Sequence, residues 1–390
     1  MLQLSETQKA IVETVRDLVE GEVIPIADEL EHKDEFPDKI VDKMKEIGLF
    51  GLTVPEEYGG IGESLATYAL AVVELARGWM SLSGILNTHF MGCYLINKFG
   101  TDEQRQKYLP QMATGEWRAA LAMSEPEAGS DVQGIKTKAL RDGDEYVVNG
   151  SKMWLTNGLR ASLVMTLVKT DPDADPPHKG MSMLVVEKEG GNPTPAPGLD
   201  VGKNIEKMGY KGVETTEMIF NDFRIPTSNL LGTEEGEGFR QVLDGIEIGR
   251  VNVAARAVGL ATRAFEEAIR YSQERKAFGK AIAGHQAIQI HLAEMATELE
   301  AAKLMLYSAA DKKSSGERSD LEAAMAKLFA SEACHNIVTK ALRVHGGYGY
   351  SKEFTIERLY RDAPFLLIGE GTSEIQKTVI ARRLLEKHKI

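Results

Sequence analysis

The hydrophobic pattern of this chain changes its period twice, and no other feature constrains the fold more strongly. From Ser5 to about Arg118, apolar residues recur at the three- and four-residue spacing of amphipathic helices. From about Ala119 to Gly232, short runs of strand-forming residues alternate with turn residues. Helical spacing returns at about Gly236 and continues to the end. The pattern predicts an α+β multidomain protein with a β region between two helical regions.

We predict an N-terminal all-α domain at residues 1–118, a middle β-barrel or sandwich at 119–232 and a C-terminal four-helix bundle at 233–390. Ser5 and Gln8 have the spacing of a capping box and mark the start of the first helix. Strands are expected at 146–148, 183–186 and 218–220, and long helices at 249–273 and along the apolar stripe 288–306.

Composition and charge exclude several kinds of partner. The chain has 46 Lys and Arg against 58 Asp and Glu, a net charge of −12, so it lacks the basic surface that binds nucleic acid. The N-terminus lacks the pattern of a secretory signal, and the uncharged stretch 78–97 is polar enough to be buried helix instead of a membrane span. The two cysteines, Cys93 and Cys334, form no metal or dithiol motif. We expect a cytoplasmic protein with no nucleic-acid partner and no membrane attachment.

Common cofactor and metal motifs are missing or incomplete. The segment 347–352 begins like a dinucleotide-binding glycine motif, but Lys352 takes the place of the third glycine and no βαβ unit surrounds it. Two Glu-x-x-His pairs, at 29–32 and 332–335, have the spacing used in di-metal bundles, but they lie in different predicted domains. We therefore expect no metal.

Four stretches carry polar and glycine residues suited to chemistry. They read MSEPEAGSD at 123–131, GSKMWLTN at 150–157, RKAFGK followed by HQ at 275–286, and GEGTSEIQ at 369–376. In this order, and across an α-β-α pattern, they make the chain similar to the acyl-CoA dehydrogenase family along nearly its whole length. The resemblance implies an FAD-dependent enzyme of the acyl-CoA dehydrogenase fold.

The first three motifs and a later glycine segment supply the expected cofactor site. A flavin needs hydrogen-bond donors near its ring and an aromatic wall against water. By resemblance, Thr156 bonds near flavin N5, Trp154 covers a ring face and Ser130 reaches the pyrophosphate. Arg275, Phe278 and Gln286 contact the FAD of a neighbouring subunit, which implies an oligomer, by analogy a homotetramer. The full expected cofactor set is Met123, Ser124, Gly129, Ser130, Trp154, Thr156, Arg275, Phe278, Gln286, Arg343, Gly346, Gly347, Thr372 and Glu374.

The fourth motif carries the expected base. Removing the α-proton of a thioester requires a base shielded from water, and Glu370 matches the family's catalytic glutamate. Ser373 and Gln376 have the spacing of a capping box that opens the last helix. Glycines on both sides of Glu370 let the backbone approach a thioester, whose oxygen a free amide there could bind. Without the other motifs, a carboxylate that stabilises the helix dipole would be the better explanation of Glu370.

Further residues are expected to contact the substrate, namely Ser130, Glu247, Arg250, Gly371, Leu86 and Phe90. Gly249 occupies the position at which some family members carry the base instead, so no second carboxylate competes with Glu370. Many straight-chain enzymes have Tyr where this chain has Gly369. We expect the glycine to widen the acyl pocket and to favour branched or aromatic acyl groups.

The resemblance implies dehydrogenation of an acyl-CoA to a trans-2-enoyl-CoA, with electrons passed to an electron-transfer flavoprotein, as in fatty-acid β-oxidation. One alternative is a flavin oxidase or monooxygenase on the same fold. An alternative of another class is a non-catalytic helical protein that binds CoA thioesters and no flavin.

Overall fold

The computed structural model describes residues 4–389 of the chain. Its first region is helical, and the side chain of Ser5 accepts a bond from the backbone of Gln8, which confirms the predicted capping box. A short π-helical turn at Val19–Val23 joins the first two helices. The helices are α1 Glu6–Leu18, α2 Ile24–Lys33, α3 Asp38–Glu46, α4 Leu65–Gly78, α5 Met80–Phe99 and α6 Asp102–Ala113.

The uncharged stretch forms buried helix, as predicted. Helix α5 takes nearly all of it, and almost every residue from Met80 to Ile96 is buried. Trp79 breaks the run between α4 and α5 with an extended backbone. None of the helices in the described part of the chain combines the length and apolar character needed to cross a bilayer.

The strands of the middle region are β1 Ala119–Ala122, β2 Lys138–Asp142, β3 Glu145–Thr156, β4 Leu163–Lys169, β5 Met181–Glu187, β6 Leu199–Val201 and β7 Thr215–Pro226. They form a seven-stranded sheet in the order β1-β4-β2-β3-β7-β6, with β5 paired to β4. Most pairs are antiparallel, but β1 and β2 each pair with β4 in parallel. The predicted strands are confirmed within β3, β5 and β7.

The last region is helical apart from a two-stranded hairpin, so the predicted α-β-α architecture is confirmed. The start predicted for its first long helix, Gly249, was wrong because that helix begins at Gly238. Gly245 and Gly249 lower helix propensity, but their lack of side chains lets this part of the helix pack closely on other elements. The elements are α7 Gly238–Glu274, β8 Lys276–Ala277, β9 Lys280–Ala281, α8 Gln286–Ser314, α9 Asp320–His345, α10 Ile356–Ile368 and α11 Ser373–Lys387.

Helix α7 is the central element of the molecule. It packs against α4, α5, α8, α9 and α10, and also against β5 of the middle region. One apolar core extends through the N-terminal and C-terminal helices, and two smaller cores lie on the sides of the sheet. This arrangement brings α5, α7 and the loop after α10 to one place, where the candidate site is found.

Candidate active site

The loop between α10 and α11 holds Glu370 in an unusual backbone conformation. Glu370 has a φ of +54° and the next residue, Gly371, has a φ of +89°. A left-handed conformation at a non-glycine residue costs free energy and is concentrated at functional sites. The predicted capping box at Ser373 was wrong, because Thr372 is the cap and its side chain accepts a bond from the backbone of Ile375 at 3.3 Å.

Gln376 stabilises this loop in place of the capping bond predicted for it. Its side-chain amide donates to the carbonyl oxygen of Glu370 at 3.2 Å and to that of Gly371 at 3.0 Å. Within residues 4–389, the backbone N–H of Glu370 has no hydrogen-bond acceptor. The loop therefore presents a carboxylate and a free amide together.

The Glu370 carboxylate lies between α5 and α7. Asn87 of α5 donates to its Oε1 at 3.1 Å. A Cβ atom at Gly249 of α7 would lie 2.8 Å from its Oε2, so only glycine leaves room for the carboxylate there. Burial raises the pKa of Glu370, and the charges of Arg256, Arg250 and Lys327 with the Asn87 bond oppose that rise. A desolvated carboxylate of this kind is a stronger base than an exposed one.

The first two sequence motifs meet through a buried ion pair. Lys152 is fully buried, and its Nζ atom lies 2.8 Å from Glu125 and 3.1 Å from the carbonyl oxygen of Met123. The backbone N–H of Met153 also donates to the carbonyl oxygen of Ser124 at 2.9 Å. The sequence reasoning gave no role to Lys152 or Glu125. The sequence did contain a signal for this pair, because the two motifs were expected to meet and they carry opposite charges.

A bulge in β3 changes the direction of the second motif. Its pairing with β7 shifts between Lys152 and Leu155, and Trp154 within the bulge has a φ of +66°. The Trp154 side chain is 58% exposed, which is unusual for so large an apolar group. Thr156 is half-buried at the strand end, and the side-chain amide of Asn157 bonds to the carbonyl oxygen of Ile85 in α5 at 2.9 Å. The bulge leaves an aromatic face open beside α5.

The third motif forms the hairpin of β8 and β9. Phe278 at its turn has a φ of +52° and is 95% exposed, and the Arg275 guanidinium lies 5.7 Å from the Tyr348 ring centre. Gly346 and Gly347 have no other atoms within 4 Å of where a side chain would begin. The exposed members of the predicted cofactor set are Gly129, Ser130, Trp154, Arg275, Phe278, Gln286, Arg343, Gly346, Gly347 and Glu374.

Apart from Thr372 and Glu374 at the start of α11, the predicted cofactor residues form two groups, one in the sheet and one at the end of the helical bundle. In the described part of the chain, no hydrogen bond, ion pair or aromatic contact joins the Arg275 and Phe278 group to the first two motifs. Both groups fit a flavin dinucleotide, because each offers an exposed aromatic face with polar donors or a cation nearby. The open backbone at Gly346 and Gly347 has room for such a ligand.

Four of the six residues predicted to contact the substrate lie on α5 and α7, whereas Ser130 lies in the loop after β1 and Gly371 follows Glu370. Leu86 and Phe90 are buried on α5, and Arg250 is buried on α7 with an Nε atom that has no partner among the described residues. Glu247 forms an ion pair with Lys313 at 3.0 Å and accepts a hydrogen bond from the Ser319 hydroxyl. A cavity of about 330 Å³ extends from Phe90 to the turn between α8 and α9.

The space beside Gly369 is partly filled by a neighbouring aromatic ring. A Cβ atom at Gly369 would lie 2.8 Å from the ring of Phe365, which stacks on Tyr210 at 4.5 Å. The ring of Phe365 thus takes part of the space that the glycine frees. The expected preference for branched or aromatic acyl groups stays a prediction.

The two residues of the first Glu-x-x-His pair, Glu29 and His32, have different partners. Glu29 pairs with Lys33 on the surface of α2. His32 contacts Glu357 at 2.6 Å, and together with Glu31 these groups lie close enough to hold an ion. Arg361, however, occupies both carboxylates, with its Nη atoms 2.6 and 2.8 Å from Glu31. This cluster serves as an ion-pair network between α2 and α10.

The three domain models of the acyl-CoA dehydrogenase family match the chain, the N-terminal domain at 5–116, the middle domain at 120–223 and the C-terminal domain at 236–385. An acyl-CoA dehydrogenase of Bacillus subtilis (strain 168) is 40% identical over 385 residues, 98% of this chain and 99% of that protein. The caffeyl-CoA reductase-Etf complex subunit CarC of Acetobacterium woodii is 40% identical over 394 residues, 99% of this chain and 100% of that one. The structure of butyryl-CoA dehydrogenase from Megasphaera elsdenii superposes with a TM-score of 0.94 at 35% identity, covering 99% of this chain and 100% of that one.

Fold and relatives together define an oxidoreductase that acts on CH–CH groups. The chain belongs to the acyl-CoA dehydrogenase family.

Proposed function

We propose that this chain catalyses FAD-dependent α,β-dehydrogenation of an acyl-CoA to a trans-2-enoyl-CoA, with Glu370 as the base. The observation that carries the proposal is the surroundings of Glu370. Its carboxylate is desolvated, held by Asn87 and placed against a glycine of α7. A carboxylate that only stabilised a helix dipole would need none of these contacts.

Glu370 has two roles in the proposed reaction, one through its carboxylate and one through its backbone N–H. The α-carbon of the thioester lies against Glu370, which takes the α-proton, while the free backbone N–H of Glu370 bonds to the thioester oxygen as charge develops there. Bound FAD supplies the acceptor for the hydride that leaves the β-carbon. The α C–H and β C–H bonds break, and a carbon–carbon double bond forms between the two carbons.

The first two motifs are proposed to hold the flavin ring, and the Arg275 and Phe278 group to hold the FAD of a neighbouring subunit. The separation of these groups within one chain supports this division. A homotetramer, by analogy with the family, would bring them together. Electron transfer to an electron-transfer flavoprotein is proposed from the relative in Acetobacterium woodii, whose name places it in such a complex.

Anaerobic titration with acyl-CoAs tests the proposal. The FAD-loaded protein is mixed with straight, branched and aromatic acyl-CoAs, and the flavin absorbance at about 450 nm is followed. We expect at least one thioester to bleach the wild type and to fail with Glu370→Gln, which keeps the size of the side chain but cannot accept a proton. Glu13→Gln, which changes an exposed carboxylate of α1 outside the expected cofactor and substrate sites, is the matched control and should behave as wild type. Equal bleaching by Glu370→Gln would overturn the proposed role.

A further inference from the structure

Arg256 of α7 is buried in an unusual way. Its side chain is only 2% exposed, yet no carboxylate of the described residues lies within ion-pair distance of it. Its Nε atom donates to Asn252 at 2.6 Å, Nη1 to the Tyr210 hydroxyl at 3.2 Å and Nη2 to the carbonyl oxygen of Ser83 at 3.4 Å. All three partners are uncharged. A buried cation without an opposite charge is costly, and a guanidinium cannot escape that cost by losing its proton.

Glu370 is in the complementary situation. Among the side chains of residues 4–389, only Asn87 donates to its carboxylate, and Asn87 is also uncharged. Glu370 and Arg256 contact the same two helices, because Asn87 and Ser83 are one turn apart on α5 and Gly249 and Asn252 are about one turn apart on α7. At a rise of about 1.5 Å per residue, the positions that the two side chains contact lie roughly one helical turn apart on each helix.

We infer that Arg256 is the counter-ion that keeps Glu370 ionised before the thioester binds. Arg256 is thus a positioning residue for the proposed reaction, and the inference rests on the proposed function. The attraction acts through a region that excludes water and is therefore weakly screened. This attraction keeps Glu370 ionised, whereas burial alone would favour its neutral, protonated form.

Other charged and titratable groups near the two residues are less suited to this role. Lys327 of α9 is fully buried, and burial lowers its pKa to about 8, so it loses its charge as the pH rises. Arg250 also faces Glu370, but it lies among the residues proposed to contact the substrate. Tyr68 of α4 is desolvated, which raises its pKa and keeps it neutral. Asp362 bonds to the backbone N–H of Tyr210, and the arginines that act on its pKa are Arg358 and Arg361.

The protonation state of Glu370 gives a test that needs no turnover. Infrared difference spectra between proteins with Glu and Gln at 370 report the carboxyl group directly across a pH series. The comparison is made in the wild-type background and with Arg256→Gln or Arg256→Lys. We expect Arg256→Gln to move the titration of Glu370 to higher pH and Arg256→Lys, which keeps the charge, to restore most of it. An unchanged titration in folded Arg256→Gln protein would overturn the inference.

Flavin reduction gives a second readout. At a pH where wild-type Glu370 is ionised only in part, Arg256→Gln should slow anaerobic reduction by about tenfold, and the deficit should shrink as the pH rises. Tyr210→Phe removes a bond to Arg256 without removing the charge, and its pH profile should match that of the wild type. A deficit in Arg256→Gln that is the same at every pH would indicate a purely structural role.

Failure of the inference is distinguishable from failure of the proposed function. If Glu370→Gln alone reduces flavin at the wild-type rate, the proposed base is wrong whatever Arg256 does. If Glu370→Gln is inactive, and Arg256→Gln changes neither the infrared titration of Glu370 nor the pH profile of flavin reduction, only the role of Arg256 as counter-ion is wrong.

Discussion

At the scale of single residues, the site depends on contacts between groups that are far apart in the sequence. Asn87 and Glu370 are separated by 283 positions, and Gly249 approaches Glu370 from a third element. The motif around Glu370 was recognisable in the sequence because its residues are consecutive. Its desolvation and its partners were not, because they arise from packing of α5 and α7. The wrong prediction of a capping box at Ser373 has a similar origin. Two adjacent hydroxyl residues could each cap the helix, and the Gln376 amide donates to the loop carbonyl oxygens instead of completing the box.

The buried pair of Lys152 and Glu125 should contribute strongly to stability. Lys152→Met leaves the Glu125 charge buried without its ion-pair partner, and we expect a loss of about 3–5 kcal/mol in the free energy of unfolding. Urea denaturation measures this loss. Lys136→Met is the matched control, because Lys136 pairs with Glu127 at an exposed site and should cost less than about 1 kcal/mol. Equal losses in the two variants would contradict this prediction.

At the scale of elements, helix α10 sets the position of the Glu370 loop, and ion pairs fix α10 to α2. Arg361 bonds to Glu31, which is fully buried, and to Glu357. Arg361→Met would leave Glu31 buried without its partner, so we expect a loss of about 3–5 kcal/mol in unfolding free energy. Thermal denaturation checks this, with Arg224→Met on the exposed surface of β7 as control. A loss no larger than that of the control would show that the network does not hold α10.

Asp362 on the same helix predicts a pH dependence of stability. Burial raises its pKa to about 7 from 3.8, so the native state keeps a proton that the unfolded chain releases. Stability from this group is therefore present at low pH and is lost as the pH rises from about 4 to 7, by up to about 4 kcal/mol. Asp362→Asn should remove this decline. Urea unfolding of both proteins at pH 4 to 8 measures it, and parallel curves would contradict the assignment.

The elements themselves were largely predictable because local periodicity determines them. The three predicted strands and the α-β-α order were correct, since each depends on neighbours within a few residues. The start of α7 was not predictable in this way. Its glycines argue against helix locally, and only the close packing of those glycines explains why the helix continues.

At the scale of the whole molecule, cofactor retention should depend on assembly. If Arg275 contacts the FAD of a neighbouring subunit, Arg275→Ala should weaken FAD binding by about tenfold or more, because a charge-assisted hydrogen bond is lost. The molecular mass of the Arg275→Ala protein, measured by light scattering, should equal that of the wild type. Fluorescence titration with FAD measures the affinity, and Arg224→Ala, an exposed arginine of the sheet, is the control. A monomer that binds FAD as tightly as the assembled protein would contradict this division of the site.

The central claim is that Glu370 removes the α-proton of an acyl-CoA. The most direct test is stopped-flow flavin reduction with an acyl-CoA that bleaches the wild type, compared with the same compound deuterated at the α-carbon, in wild type and Glu370→Gln. We predict that deuterium slows reduction in the wild type and that Glu370→Gln gives no reduction with either compound. Reduction of Glu370→Gln at the wild-type rate, without sensitivity to deuterium, would contradict the account.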